Sequence, residues 1–99
     1  TNTLYYILDV LDASIIQSKM IMFDYMQYDD NGKLVPLSEK IYACPDSLYL
    51  ENETYYLTAS EGNSKDIVTY RVDRMRNVVL TDVSYEKGGR RFTLINVGS

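Results

Sequence analysis

The sequence predicts a mainly β protein: one N-terminal helix packed on a small antiparallel, barrel-like sheet of five or six strands. Apolar residues follow helical spacing only at the start of the chain, and from Lys19 onward they fall into short runs rich in β-favouring residues. Turn residues of hairpin type separate these runs. Ten tyrosines agree with such a fold, because their rings fill small β cores while their hydroxyls reach water or a partner.

Leu4, Ile7, Leu8, Leu11 and Ile15 form one stripe, with Asp9, Asp12, Ala13 and Gln17 turned away, which predicts a helix over residues 4–17. Residues 20–28 read as the first strand. Residues 29–33 are a strong turn, since Asn31-Gly32 readily supplies the positive φ angles of a tight hairpin. The return strand is expected over residues 38–44, with Pro45-Asp46-Ser47 interrupting it, because proline cannot donate to a ladder. Leu48-Tyr49-Leu50 and residues 55–59 make a second hairpin around Glu51-Asn52-Glu53. Residues 60–66 are polar and read as a loop, 67–74 as a strand, and 78–85 as a shorter one. Lys87-Gly88-Gly89-Arg90 predicts a further turn, and residues 92–97 a last strand.

Ninety-nine residues make one domain with a single core. The apolar fraction of 45% and charged fraction of 24% are those of an ordinary folded protein. No apolar run approaches the roughly 20 residues that span a bilayer, and no signal-peptide pattern opens the chain, so no membrane partner is expected. The chain lacks an initiator Met and leads straight into a helical pattern, as an excised piece of a longer protein would. Cys44 is the only cysteine, so a reducing, cytoplasmic setting is expected, with Cys44 as a small core residue. With no histidine, one cysteine and no carboxylates at ligand spacing, neither catalytic residues nor a metal nor a cofactor is expected.

The net charge of −4 hides an asymmetry. Residues 1–66 carry eleven acids against four bases, whereas residues 67–99 carry three acids against six bases. A basic face on an acidic body suits a small anionic ligand and disfavours long contact with duplex DNA. In the 67–74 strand, alternation puts Thr69, Arg71 and Asp73 on one face and Val68, Tyr70 and Val72 on the other. Arg71 should therefore face outward, with Lys19, Lys40 and Arg76 converging on it to bind phosphate. Arg74 falls on the core side by parity, where it either joins that site or ties the strand end to Asp73 or Asp24. Tyr25, Tyr28, Tyr42 and Tyr56 are each a core residue or a platform for a base. Arg90 and Arg91 beside Gly88-Gly89 read as a solvated turn.

Four pieces of this chain, in order, resemble the WYL domain of bacterial transcriptional regulators. They are Ile21-Met22-Phe23-Asp24-Tyr25, Lys40-Ile41-Tyr42-Ala43-Cys44-Pro45, Tyr55-Tyr56-Leu57 and Tyr70-Arg71-Val72-Asp73-Arg74-Met75. The similarity runs from the helix to about Asp82. Tyr55 stands where the family has its tryptophan, and Lys40 where many members have arginine, which gives up the bidentate fork. The resemblance implies an Sm-like barrel within a longer regulator, with an upstream helix-turn-helix contacting DNA. It also implies a sensor of single-stranded nucleic acid or a nucleotide, with Lys19, Tyr25, Lys40, Tyr42, Tyr56, Arg71, Arg74 and Arg76 as candidate ligand residues. The competing reading is a structural or dimerisation barrel without a small ligand, since tyrosine-rich β surfaces make good interfaces and a homodimer is compatible with them.

Overall fold

A computed structural model of the chain describes residues 3–86. Helix α1 (Thr3–Gln17) is followed by strands β1 (Lys19–Tyr28), β2 (Leu34–Pro36), β3 (Ile41–Glu51), β4 (Thr54–Glu61), β5 (Ile67–Arg71) and β6 (Met75–Ser84). All pairings are antiparallel; β1 joins β2, β3 and β6, while β3, β4 and β5 follow in order. The sheet curls into a half-barrel with α1 packed across β6, β3 and β1. The turn at residues 87–90, the strand at 92–97, and Arg90 and Arg91 lie outside the described residues.

The helix buries Ile7, Leu11 and Ser14, a face rotated from the expected stripe. Leu4 is exposed, and Leu8 and Ile15 are half-buried. Ser14 tolerates full burial because its hydroxyl donates to the Lys19 carbonyl, which ties the helix to the first residue of β1. Between them Ser18 takes a left-handed φ of 56° and reverses the chain.

The β1–β2 connection is a type I turn with Gly32 left-handed at φ 76°, and the Asp29 carboxylate accepts from the Asn31 and Lys33 amides at 2.9 Å. The return strand begins at Leu34, earlier than expected, and residues 37–40 break it before β3. Pro45 does not interrupt β3. The strand shifts register there, with Pro45 opposite Ala59 and Ser47 opposite Thr58, so Asp46 is the extra residue of a β-bulge. Ser47 and Thr58 close the bulge, their hydroxyls 2.6 Å apart. The expected 67–74 strand also differs: β5 ends at Arg71, and Val72–Arg74 form one 3-10 turn leading into β6.

Phe23, Leu11, Ile21, Leu57, Met75 and Val72 fill the interior. Tyr70 meets Phe23 edge-on at 5.3 Å and Tyr25 at 5.1 Å, the arrangement that ring quadrupoles favour. Cys44 is half-buried, and burial pushes its thiol pKa up, so it stays a protonated packing residue.

The β3–β4 hairpin turns on Asn52 at φ 51° and Glu53 at φ 65°. Glutamate in the left-handed region costs about 1 kcal/mol that glycine does not incur. Glu53→Gly should therefore raise the thermal midpoint by a few degrees, read by circular dichroism; a lower midpoint would show that the Glu53 side chain stabilises the turn.

Candidate anion-binding face

The chain between β5 and β6 sets the site. Tyr70 points into the barrel and Arg71 out, as strand alternation requires. Strand geometry would next put Arg74 inside and Met75 outside. The 3-10 turn, with three residues per revolution, instead buries Val72 and Met75 together. Arg71, Asp73 and Arg76 are exposed, and Arg74 is half-exposed rather than turned into the core. The Arg71 amide, at the start of this turn, donates to the Tyr25 hydroxyl at 3.0 Å.

Arg71 grips Asp73 with two prongs, Nε to Oδ1 at 3.1 Å and Nη2 to Oδ2 at 2.7 Å. Those hydrogen bonds and the opposite charge hold the Asp73 carboxyl below its usual range and raise the Arg71 guanidinium. Tyr56 stands directly across from Arg71 on β4, and its ring stacks on Tyr49 of β3 at 5.4 Å with 24° between planes. Asp73 was a candidate partner for Arg74 but pairs with Arg71. Arg74 instead lies over the Tyr28 ring, 5.3 Å from its centroid, a cation–π contact worth about 0.5–1 kcal/mol when exposed. Arg76 donates through Nη1 to the carbonyls of Asp73 and Met75, at 2.8 and 3.0 Å.

The eight candidate residues do not form one cluster. Tyr25, Tyr56, Arg71, Arg74 and Arg76 surround the 3-10 turn. Tyr25 is half-buried, its hydroxyl accepting from the Arg71 amide and its ring edge-on to Phe23 and Tyr70. Lys40 and Tyr42 line a different groove of about 550 Å³, walled by residues 37–42, Glu61 and Gly62. The Lys40 ammonium there holds both Asp24 oxygens at 3.0 Å. Lys19 pairs with Asp82 at 3.4 Å, about 20 Å along β1 from Tyr25 at the usual rise per residue. Tyr49 and Asn77 were missed, although alternation in the 48–50 segment puts Tyr49 on the face of Tyr56.

The WYL domain family model matches residues 6–80. The chain belongs to the WYL domain family. This family supplies regulatory domains of transcription regulators. No curated protein and no solved structure matches the chain. Within the WYL domain, Tyr55 is half-buried and packs against the core. Among the described residues no helix is long and apolar enough to cross a membrane.

Asp24 ties three elements together, accepting from Lys40 and, at 2.8 Å, from Asn77 Nδ2. The Asn77 hydrogen bond and then Lys40 lower its pKa below 3.8. A depressed carboxyl stabilises the fold above its unfolded pKa and loses that contribution as pH falls through the folded value. Asp24→Asn should therefore melt below wild type at pH 7, and the gap should close as pH drops beneath 3.8 in thermal melts. A gap independent of pH would exclude this ionic role.

Proposed function

We propose that this WYL domain is a ligand-sensing module that binds phosphate groups of a short single-stranded nucleic acid or a nucleotide. In this proposal Arg71 and Arg74 receive the phosphates, and Tyr56 and Tyr28 receive bases. Within a longer regulator, an upstream helix-turn-helix would contact DNA and respond to the bound ligand. The observation that carries the proposal is the continuous outer row of Tyr49, Tyr56 and Arg71 across β3, β4 and β5. Such a row pairs aromatic faces with a fixed guanidinium, which is the combination that single strands require.

Asp73 occupies the Arg71 fork and acts as an internal competitor. A phosphodiester matches the single charge and bidentate geometry of a carboxylate, and the terminal phosphate of a nucleotide carries more charge, so either competes with Asp73 for the fork. Each stacked base contributes about 1–3 kcal/mol, and two phosphate contacts on a single strand give a salt slope of roughly −1.4. The competing reading, an interaction module, draws on the exposed Ile67 and Val68 of β5, a strand paired only with β4 among the described residues.

Fluorescence anisotropy with short labelled oligodeoxythymidine, alongside thermal melts, separates the two. Arg71→Ala should weaken binding at least tenfold while leaving the thermal midpoint nearly unchanged, since the lost ion pair is exposed. Asp73→Asn should tighten binding by releasing the fork. Equal affinity in wild type and Arg71→Ala, or no saturation by any oligonucleotide or nucleotide, would favour the interaction module.

A further inference from the structure

We infer a second binding site, at the seam between the start of α1 and the β5–β6 turn, for a small organic molecule with an apolar body and one carboxylate. Two cavities of about 480 and 390 Å³ share Thr3, Ile7 and Arg76 in their walls, so Arg76 stands between two lobes of one groove. Leu4 and Met75 line the larger lobe, and Tyr6 and Val79 the smaller. Each lobe falls within the roughly 300–1,000 Å³ of ordinary small-molecule sites.

Charge decides the class of occupant. Arg76 makes no salt bridge among the described residues. The acids nearest to it in sequence and register are already paired: Asp73, which also lines the larger lobe, with Arg71, and Asp24 with Lys40. Two main-chain carbonyls hold Arg76 by one nitrogen, which fixes the guanidinium and leaves its other N–H groups for a ligand. A guanidinium fixed in this way, with N–H groups to spare, recognises a carboxylate by charge-assisted hydrogen bonds. Apolar walls on both sides gain only from an apolar body, so inorganic phosphate or a sugar-phosphate leaves most of the groove unused. This site is bounded by α1 and meets the Tyr56–Arg71 row only at Asp73, which lines the larger lobe and pairs with Arg71.

The probe is decanoate, kept below its micelle concentration and titrated into the 99-residue chain while amide and methyl NMR shifts are followed. Decanol and inorganic phosphate serve as comparators. Saturable shifts centred on Ile7, Met75 and Arg76 are expected, with decanol binding at least fivefold more weakly and phosphate producing no shifts there. Arg76→Gln should weaken decanoate at least tenfold. Val79→Glu, at an exposed position in the smaller lobe, should do the same by repulsion and decides the matter if Arg76→Gln does not fold. Tyr56→Ala, on the outer row and in the wall of neither lobe, should weaken oligonucleotide binding and leave decanoate affinity unchanged, so this result is distinguishable from a failure of the oligonucleotide proposal. Equal affinity in wild type and Val79→Glu, shifts centred on Arg71, or no saturation would overturn the inference.

Discussion

The burial of Val72 and Met75, three residues apart, is the constraint on which the rest of the site depends. A strand cannot put both inside, because its side chains alternate with a period of two. One 3-10 turn can, and it brings the chain from the end of β5 to the start of β6 on the far side of the curled sheet. Its consequence is electrostatic. Of the six residues from Arg71 to Arg76, the two apolar ones face in and the four charged ones are left on the outside. A charge placed inside would cost several kcal/mol without a partner, so the hydrophobic residues alone dictate where the cations stand.

Those cations are held rather than loose. Arg71 is braced by Asp73, Arg74 by the Tyr28 ring, and Arg76 by two carbonyls. Holding a long side chain in place before a ligand arrives removes part of the ordering cost of binding. In the proposed site an incoming anion would have to outcompete the Asp73 carboxylate already in bidentate contact with Arg71. Lys40 is engaged by Asp24 in the same fashion, which anchors the broken β2–β3 arm against β1 and β6.

Much of this was legible in the sequence. The change of period at Lys19 gave helix and strand in the right order, and Asn52 marked a real hairpin. The outward direction of Arg71 followed from Tyr70 and Val72 on either side. What escaped was set by long-range contacts. Pro45 looks like a breaker, yet Ser47 and Thr58 clasp a bulge around it. Locally, the burial of Ser14, off the expected apolar stripe, is tolerated because its hydroxyl reaches the Lys19 carbonyl. Arg74 was misplaced because parity was carried through a turn that has a different period. Lys19 joined the site on charge, and the register of β1 with β6 shows it elsewhere, paired with Asp82, whereas Lys40 is taken up by Asp24, which stands opposite Arg76.

The most direct test of the central claim is an amide chemical-shift map of the domain with short oligodeoxythymidine at two salt concentrations. Perturbations should concentrate on Tyr56 and on Arg71 through Arg74, with small salt dependence and little change at Lys19, Lys40 and Tyr42. A map centred on the Lys40–Tyr42 groove, or one without localised shifts, would contradict the assignment of this turn as the anion-binding element.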